Sequence, residues 1–195
     1  MRVAFVIFDG MTALDFVGVY DPVTRLRSMG ILPDFSWSIR AWTETVTDDR
    51  GLRIVPDSVA ESFEGFDVVI VPGGFSTRTL RHDSAFMAWF RGIEVVPLKA
   101  SVCTGSLLLG AAGWLRDKPA TTHPSAIDDL ANDCREVRSE RVVDAGDIIT
   151  SGGVTAAIDL GLHLVRRFAG EAARLRIAEQ MDYRNGITPE APDRG

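Results

Sequence analysis

The stretch Ser-Val-Cys-Thr-Gly-Ser at positions 101–106 joins the end of an apolar strand to the start of a helix. Apolar and β-branched residues predict a buried strand at 98–102, and small residues with leucines predict a helix over 104–112. Gly105 allows a tight reversal between them, so Cys103 lies on a sharp strand-to-helix turn. This pattern predicts a nucleophile elbow, in which the side chain is exposed at the end of a sheet.

The segments on both sides of this turn alternate between short apolar runs and helical patterns, which is typical of βαβ units around a mostly parallel sheet. The predicted fold class is therefore α/β, with a doubly wound sheet sandwiched by helices. Pro22 should break or kink the first helix. We expect further strands at 3–8, 35–41, 51–55, 67–71 and 120–122, a hairpin at 141–144 and 147–150, and further helices at 13–28, 84–92, 124–131, 154–168 and 171–183.

Length and composition fit one soluble domain. With 195 residues, 46% of them hydrophobic and 25% charged, the chain can close a core by itself, and we expect a domain over 1–184 and a flexible tail over 185–195. The net charge of −6 argues against a general affinity for nucleic acid or anionic membranes. The apolar run at 3–8 is too short to span a bilayer, so we expect a cytoplasmic protein.

The two cysteines stand in different contexts. A disulfide framework is not expected from Cys103 and Cys134, which favours a reducing compartment. Cys134 is interpreted as structural, since it lies between two charged residues with no elbow around it. Cys103 has the alternative of being a buried structural cysteine, but the strand-Cys-x-Gly-helix pattern favours a nucleophile. The free N–H groups of the following helix should stabilise the thiolate and lower the pKa of the thiol.

Five segments make the sequence resemble the ThiJ/PfpI superfamily over about residues 1–183. They are the strand at 3–8 followed by Leu14-Asp15, Val-Ile-Val-Pro-Gly-Gly at 69–74, the elbow at 101–106, Ala-Thr-Thr-His-Pro at 120–124 and Ile-Thr-Ser-Gly-Gly-Val at 149–154. The resemblance implies the flavodoxin-like fold that is similar to class I glutamine amidotransferases. It also implies a homodimer that acts on a small molecule without a cofactor or metal.

Two positions indicate a branch of this superfamily. Thr104 follows the nucleophile where members that resemble the PfpI proteases carry a histidine, and the acid near the first strand is Asp15 rather than the glutamate of the chaperone and deglycase branch. The combination most closely resembles the isonitrile hydratases. That resemblance implies that Cys103, Asp15 and Thr104 are the catalytic residues. Pro124 follows His123 where those hydratases carry an aromatic residue, which leaves the shape of the pocket open.

The predicted chemistry gives every candidate residue a role. Cys103 attacks the isonitrile carbon while Asp15 protonates it, so Asp15 must begin protonated in a partly desolvated site beside the sulfur. Backbone N–H groups of Gly74 and Thr104 are expected to face developing negative charge, the Thr104 hydroxyl to orient acid or water, and His123 to contact substrate. The alternatives are a solvated acid in a first helical turn for Asp15 and a hydrogen-bonded bystander for His123.

A different class of function stays open. Cys103 could be oxidised without turnover, as in a redox sensor or a stress or regulatory protein. The sensory half of AraC-type transcription regulators shares this domain, but the chain ends at Gly195 and we expect no helix-turn-helix module. The three histidines and two cysteines show no spacing typical of a metal site, and none is expected.

Overall fold

A computed structural model describes residues 1–184, and within them a central sheet holds seven strands. The strands in chain order are β1 (Arg2–Ile7), β2 (Ser36–Ala41), β3 (Val46–Thr47), β4 (Arg53–Ile54), β5 (Ser58–Val59), β6 (Val68–Val71), β7 (Leu98–Val102), β8 (Pro119–Ala120), β9 (Glu136–Val137), β10 (Val142–Asp144) and β11 (Ile148–Ser151). The central sheet has the order β10-β11-β7-β6-β1-β2-β5.

The central sheet is parallel except at one edge, where β10 pairs antiparallel with β11 in the predicted hairpin. β1 pairs in parallel with β2 on one side and with β6 on the other, so the strand order reverses direction between β1 and β6. In open α/β sheets, ligands bind outside the carboxyl ends of the strands at such a switch point. The segments that follow β1, β6 and β7 therefore meet where a site is expected.

The strands at the centre of the sheet are almost entirely buried, as expected for a parallel sheet covered on both faces. β6 and β7 are buried at every position, and β1 is buried from its second residue onward. β4 is shorter than the predicted strand at 51–55, and it pairs with β3 in a separate antiparallel ribbon. β8 and β9 form another small pair outside the central sheet.

The helices flank the sheet in two groups. α1 packs against α6 and α7, while α4 packs against α2 and α5. The helices in chain order are α1 (Ala13–Ser28), α2 (Thr77–Leu80), α3 (Ser84–Phe90), α4 (Gly105–Ala111), α5 (Ile127–Leu130), α6 (Ala156–Ala169) and α7 (Glu171–Gln180), with 3₁₀ segments at Arg91–Val95 and Pro124–Ala126.

Pro22 does not break the first helix, because α1 runs without interruption from Ala13 to Ser28, and the alternative that it kinks the helix stays a prediction. Pro22 is buried against α6, where a Cβ built on Gly161 would lie 2.3 Å from its Cγ. A Cβ built on Gly18 would likewise lie 2.7 Å from the Cβ of Ala157. Glycine on each helix lets α1 and α6 approach closely, and this packing outweighs the hydrogen bond that proline removes.

The predicted fold class is confirmed, since a mostly parallel sheet is flanked by helices. The tail predicted for 185–195 lies outside the described residues, and the domain boundary stays a prediction. Within residues 1–184, no helix combines the length and apolar character needed to cross a bilayer.

Candidate active site

Cys103 lies on the turn between β7 and α4, as the sequence predicts, with a φ of +54°. Residues other than glycine rarely adopt this left-handed backbone conformation, so contacts with the surrounding residues must hold it in place. The Cys103 N–H donates to the carbonyl oxygen of Ser151 at 3.0 Å. Its carbonyl oxygen accepts the hydroxyls of Ser106 and Thr122, both at 3.1 Å. The strained turn is therefore fixed from three directions.

Close backbone approach around this turn requires glycine at two positions. A Cβ built on Gly105 would lie 2.6 Å from the carbonyl oxygens of Val71 and Pro72. A Cβ built on Gly73 would lie 2.6 Å from the backbone nitrogen of Thr104. These glycines bring the loop after β6 against the elbow after β7.

Asp15 lies in the first turn of α1 and is fully buried. Its Oδ2 accepts the N–H of Gly73 at 3.0 Å. Its Oδ1 makes no well-formed hydrogen bond to any residue between 1 and 184, although the Cys103 thiol lies next to the carboxyl group. Burial, opposed by the Gly73 hydrogen bond, raises the pKa of Asp15 to about 7. A large fraction of Asp15 therefore keeps its proton at neutral pH, and it is not the solvated acid of the alternative interpretation.

The expectation of a lowered thiol pKa is wrong. Burial first and the neighbouring Asp15 second raise the pKa of Cys103 to about 12, although the N–H of Thr104 opposes the shift. The side chain is also enclosed, with 6% exposure, rather than presented to bulk solvent as expected for an elbow. The short helix α4 offers too little positive potential to offset desolvation next to a carboxyl group. The thiol is therefore protonated at neutral pH.

The Thr104 side chain is bound to the backbone of the neighbouring loop. Its hydroxyl donates to the carbonyl oxygen of Gly74 at 2.9 Å and accepts the Gly74 N–H at the same distance. The Gly74 N–H is thus occupied by Thr104. The Thr104 N–H instead contacts the Cys103 sulfur, where it can face negative charge that develops there.

A pocket of about 130 Å³ opens above the sulfur. Cys103 lines it, whereas Asp15 lies buried beside the thiol and outside the lining. The other lining residues are Thr12, Asp49, Arg50, Gly74, Phe75, Arg78, Thr104, His123, Ser125 and Val154. The structure thus brings together all the residues predicted from sequence, with four of them on the pocket wall and Asp15 behind it.

His123 and the Cys103 sulfur both border the space that a side chain at Gly153 would occupy. A Cβ built on Gly153 would lie 2.6 Å from the Cys103 Sγ and 2.8 Å from the His123 Cδ2. The His123 Nδ1 accepts the N–H of Ser125 at 3.1 Å, which places the proton of the neutral ring on Nε2. His123 can therefore donate a hydrogen bond through Nε2.

Comparisons with known proteins identify the family. The model of the DJ-1/PfpI family matches residues 1–167. The chain belongs to the DJ-1/PfpI family. It is 33% identical over 186 residues to an isonitrile hydratase of Pseudomonas putida, covering 94% of this chain and 78% of that one. The crystal structure of a ThiJ/PfpI family protein from Pseudomonas syringae superposes with a TM-score of 0.84 at 31% identity, covering 99% of this chain and 77% of that one.

The DJ-1/PfpI family also contains regulators. The chain is 28% identical over 181 residues to the HTH-type transcriptional regulator CdhR of Pseudomonas aeruginosa, covering 90% of this chain and 53% of the regulator. The chain thus spans about half the length of that relative. Family membership alone therefore does not distinguish an enzyme from a regulator, and the chemistry of the site has to decide between them.

Several site residues of this DJ-1/PfpI protein were not found by sequence reasoning. Arg50 and Asp49 come from the loop between β3 and β4, and Arg78 comes from α2. None has a motif around it, because their approach to Cys103 is set by tertiary packing. Gly153 carried a signal, since it belongs to a glycine pair directly after β11, but its closeness to the sulfur could not be deduced from sequence.

The remaining cysteine and histidines lie apart from this site. Cys134 is half-buried and free. His163 is half-buried, and its Nε2 lies 2.8 Å from Asp144 Oδ2. Among residues 1–184, no group of histidine, cysteine, aspartate and glutamate has the arrangement of a metal site.

Proposed function

We propose that the protein is a cysteine-dependent isonitrile hydratase, which adds water to an isonitrile to give an N-substituted formamide. One observation carries the proposal: the Cys103 thiol lies next to a buried Asp15 whose raised pKa of about 7 lets it hold a proton near neutral pH. An isonitrile carbon needs both a nucleophile and a proton, and this pair supplies them from adjacent atoms. The similarity to the Pseudomonas putida isonitrile hydratase supports the assignment.

The first step forms a thioimidate. Asp15 delivers its proton to the terminal carbon of the isonitrile, and the Cys103 sulfur bonds to the same carbon. The thiol proton passes to the carboxylate that Asp15 has become, so the thiol need not ionise beforehand. This relay fits a thiol whose pKa is raised to about 12. The product is R–N=CH–S–Cys103, with Asp15 protonated again.

The second step releases the formamide. Asp15 protonates the nitrogen as water adds to the thioimidate carbon, and the Asp15 carboxylate takes the proton that the water loses. The tetrahedral adduct R–NH–CH(OH)–S–Cys103 then expels the sulfur, which receives the proton of the adduct's hydroxyl group. The Thr104 N–H at the sulfur stabilises negative charge on it as the C–S bond breaks. The products are R–NH–CHO and the free Cys103 thiol, so one water is consumed in each turnover. The Nε2 of His123 can donate to the adduct's oxygen.

Turnover of n-butyl isonitrile by the parent and two variants tests the proposal. Cys103→Ala should abolish formamide production at every pH, because the covalent intermediate cannot form. Asp15→Asn should lose ~10²–10⁴ in kcat, the usual contribution of general-acid help. It should fold, and iodoacetamide should alkylate its Cys103 at least as fast, since the neighbouring carboxylate that raises the thiol pKa is gone.

Two outcomes would contradict the mechanism. Near-parental turnover by Asp15→Asn would remove Asp15 from it. The absence of turnover by the parent with any alkyl or aryl isonitrile would favour a redox sensor or regulator instead. A sensor cysteine is typically accessible and ionised. The enclosed Cys103, with its raised pKa, argues against that function.

A further inference from the structure

The pocket wall carries two arginines that the hydratase mechanism does not use. Among the described residues that line the pocket, Arg50 and Arg78 are cationic and Asp49 is anionic. The molecule as a whole is acidic, with a formal net charge of −6, so this local excess runs against the general trend. An excess of guanidinium groups in a pocket above a nucleophile suggests that the substrate brings a negative charge.

Arg78 is fixed along one edge of its guanidinium group. Its Nε donates to Asp129 Oδ2 at 2.9 Å, and its Nη2 donates to the carbonyl oxygen of Ser125 at 3.2 Å. Its guanidinium carbon lies 5.7 Å from the centre of the Phe75 ring. Asp129 does not line the pocket, and Nη1 has no hydrogen-bond partner among residues 1–184. Arg78 is thus pre-oriented and keeps one nitrogen free for a ligand.

Arg50 adds a second, more mobile cation on the same pocket wall. Its Nη1 donates to Asp49 Oδ1 at 3.0 Å, and the side chain is 73% exposed. Asp49 also accepts the hydroxyl of Thr12 through Oδ2 at 3.0 Å. The Nε and Nη2 of Arg50 have no hydrogen-bond partner in the described part of the chain. They can therefore reach an anion at the pocket mouth.

The shape of an isonitrile sets where such an anion would lie. The C–N–R unit is linear and uncharged, so a terminal carbon at Cys103 sends the substituent R away from the sulfur toward the mouth. Guanidinium groups bind planar carboxylates through paired N–H donors. The pocket also contains Asp49, which disfavours a dianion such as a phosphate monoester.

We propose that the preferred substrates are isonitriles whose substituent carries a carboxylate, bound by Arg78 with help from Arg50. This inference rests on the proposed hydratase function. It names Arg78 as a specificity-determining residue, and it predicts an N-formyl carboxylate as product. Phe75, 79% exposed and lining the pocket, offers an apolar surface for the linker between the two functional groups.

The kinetic test compares 3-isocyanopropanoate with its methyl ester, which differ in charge but little in shape. The parent should show a higher kcat/KM for the carboxylate, mainly through a lower KM, because the ion pair is made in both the ground state and the transition state. Arg78→Gln should reduce the carboxylate-to-ester ratio of kcat/KM about tenfold. Arg50→Gln should reduce this ratio less. Because the Arg50 side chain is exposed, its substitution should leave folding unchanged.

Arg138→Gln is the matched control, since it removes one positive charge from an exposed arginine that pairs with Glu136 and does not line the pocket. It should leave the carboxylate-to-ester ratio at the parental value. A ratio that falls equally in all three variants would indicate a general field effect and overturn the proposal. A parental ratio that stays unchanged in both Arg78→Gln and Arg50→Gln would overturn it as well.

Binding measurements separate this inference from the hydratase function. Calorimetry with N-formyl-β-alanine and its methyl ester requires no turnover. The parent should bind the carboxylate more tightly than the ester, and Arg78→Gln should lose about tenfold of this preference. If no isonitrile is turned over but this preference is found, the proposed hydratase function is wrong and the proposed carboxylate-binding site is supported. If isonitriles are turned over and no preference is found, the inference fails alone.

Discussion

At the scale of single residues, Asp15 and Cys103 share one desolvated space, and burial favours the neutral form of each group. The carboxyl group has a single backbone donor, from Gly73, which is too little to compensate for full burial. The thiol then has a raised pKa because a thiolate would be buried next to a potential carboxylate. The pair is therefore set for proton relay rather than for a pre-formed thiolate. Two pH dependences follow.

The first dependence concerns activity. If Asp15 must begin protonated, kcat/KM should fall as the pH rises through about 7, where the free enzyme loses that proton. The measurement is formamide production from n-butyl isonitrile between pH 5 and pH 9, with the rate of Cys103→Ala subtracted to remove acid hydrolysis in solution. A profile that rises through pH 7 would show that the singly protonated pair reacts, with Asp15 as the base.

The second dependence concerns stability. The pKa of Asp15 is raised in the folded state, so between about pH 4 and pH 7 the folded chain holds a proton that the unfolded chain has released. The parent's free energy of unfolding should lose up to about 4 kcal/mol across this range from Asp15 alone. The asparagine of Asp15→Asn does not titrate, so the free energy of unfolding of this variant should not show this decrease. In urea unfolding, the free energy of unfolding of the variant should therefore increase relative to that of the parent from pH 4 to pH 8. A difference that stays constant over this range would contradict the raised pKa of Asp15.

At the scale of elements, the crossing of α1 and α6 shows how packing overrides local preference. Pro22 stays inside α1 because Gly161 on α6 leaves room for its ring. The first turn of α1 carries Asp15, so this crossing also helps to hold the acid beside the elbow. Sequence patterns could not find the contact, since helix-breaking tendency is local while Gly161 is distant in the chain.

Gly161→Ala should lower the free energy of unfolding by about 1–3 kcal/mol, because the new methyl group overlaps the Pro22 ring and the Val19 carbonyl oxygen. Gly92→Ala is the matched control, since its Cβ would meet nothing closer than Phe63 at 3.7 Å. That variant should stay within about 0.5 kcal/mol of the parent. Equal stability of the two variants in urea unfolding would show that α1 and α6 can separate at no cost.

The elements that hold the nucleophile could be predicted from the sequence, whereas the residues that line the pocket around it could not. The apolar strand, Cys103 and Gly105 lie within eight residues, so local chemistry predicts the elbow. Arg50 and Arg78 reach the pocket from segments with no motif of their own. The direction of the thiol pKa was also missed, because it depends on burial beside Asp15, 88 positions earlier in the sequence.

At the scale of the whole molecule, the strand order explains why distant segments form one site. The order reverses between β1 and β6, so the segments after β1, β6 and β7 converge at the carboxyl ends of these strands. They contribute Asp15, Gly74 and Cys103 in turn. Arg50 and Arg78 lie in the pocket wall of a molecule of net charge −6, and under our proposal their free N–H groups attract a carboxylate substrate toward this edge of the sheet.

The resemblance to the family predicts a homodimer, and the surface of α1 suggests where the copies meet. Leu14 and Val17 lie one turn apart on α1 and are 42% and 41% exposed, so together they form an apolar patch on the helix surface. A twofold dimer would bury the same patch on both copies.

Light scattering at micromolar concentration should give twice the mass of the chain. Leu14→Glu combined with Val17→Glu should give a folded monomer, because buried carboxylates would face each other across the twofold axis. A monomeric parent would contradict the dimer, and a dimeric double variant would move the interface away from α1.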